Sequence, residues 1–314
     1  MTNSFPYSDD NKRYHTWNYH LRHKFGEKVF KVSLNGGFTC PNIDGTKGVG
    51  GCTYCSHYGS GDFAGNPLES LPEQFEQVKQ KMHQKWPDAS YIGYFQAYTN
   101  TYAPLEELKQ KYESILQLPK VVGLSISTRP DVLPDDVVDY LAEINQRTYL
   151  IVELGLQTIH DETGKRINRH HTYQDFLEGY EKLHQKGIPV CAHIIDGLPG
   201  ESHQDMLETA QALSQLDLHC IKIHLLHVLK HTVMAEQYQN GEFPLLRLEE
   251  YVQIICDQLE VLPPELIIQR LTGDGAKEDL IGPLWSLKKF VVLNEIDKEL
   301  VRRDSWQGKY YQKP

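Results

Sequence analysis

Short runs of apolar, β-branched and aromatic residues recur along the chain and alternate with longer stretches whose apolar residues follow helical spacing. The short runs fit buried strands, and the longer stretches fit amphipathic helices. The predicted strands are Val29–Leu34, Tyr91–Phe95, Val121–Ser127, Tyr149–Leu154, Pro189–Ile195, Cys220–Leu225 and Leu266–Arg270. The predicted helices lie near residues 72–85, 104–116, 134–146, 172–187, 202–215 and 247–260. This alternation is typical of a parallel sheet with crossover helices, so the predicted fold class is α/β.

Six or so strand–helix units favour a full or partial βα barrel over a doubly wound sheet. In such barrels the functional site lies at the carboxyl ends of the strands. The tail from Ile281 to Leu300 has apolar residues at helical spacing, so we expect a helix that closes against the barrel. We divide the chain into a basic N-terminal segment (1–28), a barrel core (29–265) and a C-terminal strand and helix (266–314).

Three cysteines follow the first predicted strand within one glycine-rich loop. Cys40, Cys52 and Cys55 have the spacing C-x11-C-x2-C. Three thiolates on one loop can hold an iron–sulfur cluster and leave one iron without a protein ligand. A small molecule can bind that iron and accept an electron, which points to S-adenosylmethionine (SAM) chemistry.

Zinc is the main alternative for this loop, because Cys40, Cys52, Cys55 and His57 together form a Cys3His set. The loop alone does not separate the two metals, although an aromatic at Tyr54 favours a cluster that must be shielded from water. Cys191 and Cys220 lie in the fifth and sixth predicted strands, and Cys256 lies in a predicted helix. Because these three cysteines are scattered along the chain, we expect no second cluster. No signal peptide is recognisable, which favours a reducing compartment over disulfide formation.

Composition and charge limit the classes of protein to which this chain can belong. No stretch of the 314 residues approaches the roughly 20 apolar residues of a membrane span, so we expect a soluble, cytoplasmic protein. The formal net charge of −10 argues against a general nucleic-acid binder. The segment from Lys12 to Lys31 is basic, however, and contains Tyr14, Trp17 and Tyr19. It is either a solvated amphipathic helix or a contact for RNA.

Polar residues stand at the carboxyl ends of several predicted strands. Ser127 ends the third predicted strand and Arg129 follows it. Glu153 and Gln157 stand at the end of the fourth, Arg169 follows shortly after, and His193 stands at the end of the fifth. In a barrel these positions converge on one mouth. Any one of them could be ordinary hydrogen-bonded structure, but together they match the needs of SAM for a cation, acceptors for the ribose and acceptors for the amino group.

These motifs resemble those of the radical SAM superfamily. The Thr128-Arg129-Pro130-Asp131 segment, the Glu153-x-Gly-x-Gln157 strand end and Asn168-Arg169-x-His171 resemble the radical SAM domain of the Elongator catalytic subunit. The likeness is greatest to the bacterial YhcC/YtqA-type family, through Gly37–Asn42, Gly50–Cys55, Gly59–Phe63, Tyr94–Tyr102 and Arg270–Asp274, and it covers nearly the whole chain.

The resemblance implies a partial (β/α)6 TIM-like radical SAM barrel with a C-terminal helical extension. It implies that Cys40, Cys52 and Cys55 ligate a [4Fe–4S] cluster, where SAM is cleaved to a 5′-deoxyadenosyl radical after an electron arrives from a donor such as flavodoxin or ferredoxin. By the same resemblance the SAM-binding residues are Thr99, Ser127, Arg129, Glu153, Gln157, Arg169 and His193. Thr99 and His193 depart from the superfamily pattern, because Gln96-Ala97-Tyr98-Thr99 replaces a Gly-Gly strand end and an acidic ribose ligand is usual at the position of His193.

The substrate is the least determined part of the interpretation. The candidate catalytic residues are Tyr98, Lys222, Arg270 and Asp274, and further substrate-facing candidates are Asn100, Tyr102, His224, His227 and Lys230. The Elongator-like motifs imply tRNA as the partner, with conversion of a carboxymethylaminomethyl group on wobble uridine to aminomethyl. The alternatives are a small metabolite, or a zinc- or iron–sulfur-containing RNA-binding module without turnover.

Overall fold

The computed structural model describes residues 5–56, 58–59, 61, 64–83, 86–273, 275 and 277–313. Its main sheet has seven parallel strands in the spatial order β1-β2-β3-β4-β5-β6-β8. These strands are β1 Val29–Leu34, β2 Ser90–Phe95, β3 Val121–Thr128, β4 Tyr149–Gln157, β5 Val190–Asp196, β6 Cys220–Leu225 and β8 Ile267–Arg270. A short antiparallel pair is formed by β7 Val228–Leu229 and β9 Leu280–Gly282.

The helices are α1 Trp17–Phe25, α2 Leu71–His83, α3 Leu105–Leu116, α4 Asp135–Arg147, α5 Asp161–Arg166, α6 Tyr173–Gln185, α7 His203–Leu213, α8 Val233–Gln239, α9 Leu248–Val261 and α10 Lys289–Arg302. Neighbouring strands of the sheet follow one another along the chain, and the sheet curls into a half-barrel. The predicted α/β partial barrel is confirmed. The sequence interpretation missed α5, α8 and the small β7–β9 pair, all of which are short.

Side chains that alternate along each strand point either into the hydrophobic core or into the barrel interior. Successive side chains of a strand point to opposite faces. In β4, Val152 and Leu154 are buried in the main hydrophobic core, whereas Glu153 lines the interior. In β6, Ile221 and Ile223 belong to the core and Lys222 lines the interior. The half-barrel therefore has an apolar outer face under the helices and a polar inner face.

The C-terminal segment packs mainly on the outer helical layer. In α10, Val292, Ile296 and Leu300 are fully buried in the main core, and the helix packs against α9. Residues just before α10, among them Leu287, and its first residue Lys289 reach the rim of the barrel cavity. The predicted helix is present, and only its beginning lies at the opening.

The basic N-terminal segment lies at the amino ends of the strands, opposite the cysteine loop. The Thr16 side chain caps α1, and Thr16 bridges to Ile268 of β8. Tyr14 is buried, Lys12 pairs with Asp297, and the Lys31 side chain points into the barrel. This placement does not support the expected RNA contact over Lys12–Lys31, because several of its aromatic and basic groups are used to close the end of the barrel.

Two histidines at this end share one tyrosine. The Tyr149 hydroxyl lies 3.1 Å from His20 Nε2 and 2.9 Å from His219 Nε2. Burial, reinforced by the neighbouring His219, lowers the pKa of His20 to about 3, and burial together with Lys24 lowers the pKa of His219 to about 4. Both histidines are therefore neutral in the folded protein near pH 7.

Stability is expected to fall as the pH decreases from about 6.5 toward 4, because in that range the unfolded chain binds protons at these histidines and the folded protein does not. His219 contributes up to about 1.4 kcal/mol per pH unit, and the more solvent-accessible His20 contributes less. Urea unfolding at several pH values measures the slope of the free energy of unfolding against pH. His219→Gln should make it shallower and exposed His184→Gln should not; equal slopes for wild type and His219→Gln would contradict the prediction.

Candidate active site

A cavity of about 1130 Å³ opens at the carboxyl ends of the strands and extends into the barrel. All but one of the predicted catalytic, SAM-binding and metal residues line it: Cys40, Cys52, Cys55, Tyr98, Thr99, Ser127, Arg129, Glu153, Gln157, Arg169, His193, Lys222 and Arg270. The remaining one, Asp274, lies outside the described residues. Residues far apart in sequence thus meet around one space, as expected for the mouth of a βα barrel.

The cysteine loop is held by the segment that follows α5. Asn42 Nδ2 donates a hydrogen bond to the carbonyl of Asn168 at 2.6 Å. In return, Asn168 Nδ2 donates to the carbonyl of Gly51 at 2.7 Å, and the Thr53 amide donates to the carbonyl of Ile167 at 3.0 Å. These bonds hold the loop across the strand ends and fix the directions of its cysteines.

The spacing of the three thiols is compatible with a cubane cluster. In a tetrahedral zinc site the sulfur ligands lie about 3.8 Å apart, as follows from Zn–S distances of about 2.3 Å. Among the described residues, the group whose donor atoms all lie within 4.8 Å of one another is His160, Asp205 and Glu208, not the three cysteines. A cubane binds each thiolate on a different iron and so accepts a wider spacing. His57, the fourth ligand of the zinc alternative, lies outside the described residues.

The surroundings of Cys52 favour the thiolate form that a metal ligand requires. The neighbouring Cys55, together with Tyr54 and the positive charge of Arg129, lowers the pKa of Cys52 to about 7 against the opposing effect of burial. Asn42 Nδ2 lies 3.5 Å from Cys52 Sγ. The loop therefore offers donors suited to an iron–sulfur centre.

Four of the predicted SAM-binding residues lie around the cavity beside this loop. Thr99 follows β2, and its amide donates to the carbonyl of Thr39 at 3.2 Å, directly before the first cysteine. Ser127 Oγ donates to the Tyr94 hydroxyl at 3.0 Å. Gln157 ends β4 in a left-handed conformation with φ of 66°, and His193 lies on the next strand. These side chains surround the space above the cysteine loop.

The two arginines of the predicted set are largely occupied by the protein. The Arg169 side chain is 1% exposed and donates to the carbonyls of His171, Leu156 and Thr158 and to Asp161. Since a guanidinium has five N–H donors, one remains. Arg169 therefore holds the turn after β4, and its role as the cation for the SAM carboxylate stays a prediction.

Arg129 has a similar supporting position. Its guanidinium forms a bidentate pair with Asp131 and donates to the carbonyls of Arg169 and His170. These bonds connect the end of β3 to the segment that anchors the cysteine loop. Arg129 therefore helps to position that loop and supplies positive charge near Cys52. Its direct bond with SAM stays a prediction.

Glu153 is the centre of a buried polar network. The carboxylate is fully buried and accepts hydrogen bonds from Lys31, Lys222 and His193, the last at 2.8 Å. Burial by itself would raise the pKa of Glu153, but Lys222 and Lys31 outweigh it and hold the pKa well below its usual value. Glu153 pairs in register with Ser127, beside the end of β3, and accepts a hydrogen bond from Ser127 Oγ at 3.3 Å. Its contact with SAM stays a prediction, to which the structure adds this network.

The substrate-facing candidates divide into two groups. Tyr98, Lys222, His224, His227 and Arg270 line the cavity. Asn100, Tyr102 and Lys230 do not. Asn100 bonds the carbonyl of Ser127, Tyr102 contacts Thr46, and Lys230 donates to the carbonyl of Glu278.

Gly59 explains the position of Tyr98. A Cβ atom at Gly59 would lie 2.3 Å from the Tyr98 ring, and Gly59 has φ of 57°. Only glycine tolerates this close approach together with that conformation. Tyr98 itself has φ of 61°, and its amide donates to the carbonyl of Gly59 at 2.9 Å. The glycine thus allows the tyrosine ring to lie against the cysteine loop.

Sequence reasoning missed three interior residues: Lys31, Tyr94 and Gln269. Lys31 Nζ donates to Gln269 Oε1 at 2.7 Å and lies 4.7 Å from the centre of the Tyr94 ring. A lysine within an otherwise apolar strand was the available signal, because a charged side chain there must point into a polar interior or pair with an acid. Tyr94 and Gln269 resemble ordinary strand residues and had no such signal.

A curled parallel half-barrel, three thiolates after its first strand and polar strand ends around an open cavity define the radical SAM class. Residues 45–213 match the Radical SAM superfamily, and residues 218–302 match the Radical_SAM C-terminal domain. The chain belongs to the radical SAM superfamily and is therefore an enzyme that uses a [4Fe–4S] cluster and SAM. This membership argues against a zinc-containing module without turnover.

Two relatives align along most of their length. The chain is 59% identical to the uncharacterized protein YtqA of Bacillus subtilis (strain 168) over 313 residues, covering all of this chain and 97% of the relative. It is 36% identical to protein YhcC of Escherichia coli (strain K12) over 281 residues, covering 89% and 90%. The predicted relationship to the YhcC/YtqA-type family is confirmed.

More distant similarity extends to a tRNA uridine(34) acetyltransferase and to a solved structure of Elp3. The tRNA uridine(34) acetyltransferase of Methanocaldococcus infernus is 27% identical over 176 residues, which cover 52% of this chain and 32% of that protein. The solved structure of M. infernus Elp3 with an N-terminal deletion superposes with a TM-score of 0.68 at 18% identity, covering 90% of this chain and 64% of that one. The similarity to the Elp3 structure shows that the two chains share a fold. No helix in the described part of the chain is long and apolar enough to cross a membrane.

Proposed function

We propose that this chain is a tRNA-modifying radical SAM enzyme that converts a carboxymethylaminomethyl group on wobble uridine to aminomethyl. The arrangement of Cys40, Cys52 and Cys55 beside polar strand ends in one open cavity carries the reaction class. The similarity to the tRNA uridine(34) acetyltransferase supports the substrate class. When bound at the three cysteines, the cluster supplies the electron that cleaves SAM to methionine and a 5′-deoxyadenosyl radical.

The chain's own residues bind and orient the reactants. Thr99, Ser127, Gln157 and His193 surround the space in which SAM would lie beside the cysteine loop. His193 is neutral near pH 7, because burial and Lys222 lower its pKa to about 4. Its Nε2–H donates to Glu153, so its Nδ1 can accept a hydrogen bond in that space. Arg129 and Arg169 hold the loop from behind. Tyr98 lines the cavity and lies against Gly59, where its ring can help to separate the radical from solvent.

The rim of the cavity supports a macromolecular substrate. The volume of about 1130 Å³ leaves room for the cluster, SAM and the reacting end of a substrate. Lys277 and Lys289 lie on its lining, and Phe290, beside Lys289, is 81% exposed. Lysines can contact phosphates, and an exposed aromatic ring can stack on an unpaired base. RNA binding confined to this rim is compatible with the overall charge of −10.

The proposed reaction balances without an additional oxidant. A hydrogen atom leaves the methylene carbon between the amine nitrogen and the carboxylate, and 5′-deoxyadenosine forms. The resulting carbon radical loses one electron, which replaces the electron used to cleave SAM, and becomes an imine after a proton leaves nitrogen. Water then adds to the imine carbon and breaks the C–N bond, which releases glyoxylate and leaves the aminomethyl group. A donor such as flavodoxin or ferredoxin is needed to start the cycle.

The test is mass spectrometry of tRNA nucleosides from cells with and without the gene. Deletion should remove aminomethyl-type wobble uridines and accumulate the carboxymethylaminomethyl form, and wild-type protein should restore the normal pattern. Anaerobically reconstituted enzyme should form 5′-deoxyadenosine and glyoxylate only when such tRNA is added. Unchanged nucleosides together with tRNA-independent formation of 5′-deoxyadenosine would reject this substrate and leave a small metabolite as the alternative.

A further inference from the structure

The segment between Cys40 and Cys52 folds back so that a buried asparagine reaches the second cysteine. The turn after Cys40 is closed by the amides of Ile43 and Asp44, which donate to the Cys40 carbonyl at 2.8 and 3.2 Å. Asn42 lies inside this turn and is fully buried, and its Nδ2 donates to Cys52 Sγ at 3.5 Å. The gap in the cysteine motif thus supplies a side-chain donor to one of the two cysteines that it separates.

The surroundings of Asn42 determine which end of its amide faces the sulfur. The same Nδ2 donates to the backbone carbonyl of Asn168 at 2.6 Å. Because a carbonyl oxygen can only accept a hydrogen bond, the nitrogen of the Asn42 amide must lie on this side. Gly48 leaves room for the other end, since a Cβ atom at Gly48 would lie 2.3 Å from Asn42 Oδ1. The fold of the loop therefore directs an N–H group at the sulfur.

A second donor reaches the same sulfur. The Tyr54 hydroxyl forms a hydrogen bond with Cys52, and Arg129 adds positive charge nearby. A neutral thiol is a weak acceptor, whereas a thiolate gains charge-assisted hydrogen bonds from such donors. Two side-chain donors on one sulfur therefore suit a thiolate that keeps negative charge when it is bound to iron.

We propose that Asn42 and Tyr54 raise the reduction potential of the [4Fe–4S] cluster through their hydrogen bonds to Cys52. This inference rests on the assignment of Cys52 as a cluster ligand and does not depend on the tRNA substrate. Hydrogen bonds to the sulfurs are among the factors that set the potential of an iron–sulfur centre. Reduction adds negative charge, so N–H and O–H donors stabilise the reduced form more than the oxidised form. The two residues would thus make it easier for the electron donor to reduce the cluster.

The experiment is a redox titration of anaerobically reconstituted protein without SAM, followed by EPR spectroscopy. Asn42→Leu removes the amide at similar volume, and Tyr54→Phe removes the hydroxyl and keeps the aromatic ring. Both variants should retain about four irons per chain. The equilibrium constant for reduction should fall about three- to tenfold in each, as expected for one lost contact to a charged group. A tenfold decrease moves the potential of a one-electron couple by about 59 mV in the negative direction.

A vibrational measurement tests the hydrogen bonds themselves. In resonance Raman spectra, the bands for stretching of the iron–cysteine sulfur bonds should differ between wild type reconstituted in H2O and in D2O, because deuterium replaces hydrogen in the groups that contact the sulfur. The difference should be smaller in Asn42→Leu and in Tyr54→Phe. A purely structural role of these residues in the loop would leave the isotope effect unchanged.

Two control variants remove loop contacts that do not involve a sulfur. Asn168→Gly deletes the side-chain amide that donates to the carbonyl of Gly51. It keeps the backbone carbonyl that Asn42 uses, and glycine tolerates the φ of 56° at this position. Tyr102→Phe deletes the hydroxyl that contacts Thr46. Both controls should keep the reduction potential and the isotope effect of wild type.

A wild-type potential in Asn42→Leu or Tyr54→Phe with full iron content would overturn the proposal. An equal fall in potential in Asn168→Gly would also overturn it, since the geometry of the loop would then set the potential. If Asn42→Leu does not assemble a cluster, Tyr54→Phe decides the test. Full iron content in Cys52→Ala would refute the ligand assignment itself, whereas tRNA that is not modified would leave the measured potentials and this inference intact.

Discussion

Cys52→Ala is expected to reduce iron in the reconstituted protein from about four atoms per chain to nearly none, and to abolish cleavage of SAM. The cluster has three protein ligands on one loop, so the loss of one leaves two irons without a thiolate. Cys40→Ala and Cys55→Ala should have the same effect. Iron analysis, visible absorption and 5′-deoxyadenosine formation under dithionite measure the result.

The matched controls are the buried cysteines outside the loop. Cys191, Cys220 and Cys256 are fully buried in apolar clusters. Their replacement by alanine removes a small core side chain and should leave iron content near that of wild type. Full iron content in Cys52→Ala, or stoichiometric zinc without iron uptake in wild type, would contradict the assignment of the three loop cysteines.

Glu153→Gln is expected to destabilise the fold by about 3–5 kcal/mol, the usual cost of breaking a buried ion pair by removing one partner. The change leaves Lys31 and Lys222 facing each other inside the barrel with no carboxylate between them. Because Lys222 and Lys31 hold the pKa of Glu153 well below 4.5, its stabilising effect is present above pH 4.5 and is lost as the pH falls below that value. Chemical denaturation near pH 7.5 measures the change.

Two further variants make this prediction specific. Glu162→Gln removes a carboxylate from an exposed pair with Lys165 and should leave the unfolding midpoint near that of wild type. Lys31→Met combined with Glu153→Gln should be more stable than the sum of the single changes, because it removes the repulsion as well as the acid. An unfolding curve of Glu153→Gln equal to that of wild type would show that the buried network does not stabilise the barrel.

The strands were predicted well because their signals are local. The pattern of apolar and polar residues indicates a strand without knowledge of the strands that pair with it. The predicted strands Val29–Leu34 and Cys220–Leu225 agree with the structure at both ends. The cysteine loop was also visible, since its spacing lies within one short segment. Polar residues at strand ends could be assigned to one mouth because parallel strands point the same way.

The roles of long side chains were not visible in the same way. Arg129 and Arg169 have the right chemistry for the SAM carboxylate, and sequence position placed both near it. In the structure their guanidinium groups reach backbone carbonyls of the turns that support the loop. Whether a flexible cation meets a ligand or an unsatisfied carbonyl depends on three-dimensional neighbours that strand spacing does not contain.

The sequence by itself determined the reaction class, because the three loop cysteines and the strand-end motifs together resemble those of the radical SAM superfamily. The tertiary structure decided the charge of the cavity. Lys31, Glu153 and Lys222 lie on three different strands, and only the curling of the sheet brings their side chains together. Because a buried charge is stabilised or destabilised by whatever group lies within a few ångströms of it, such a site depends on contacts between distant segments and cannot be read from any one of them.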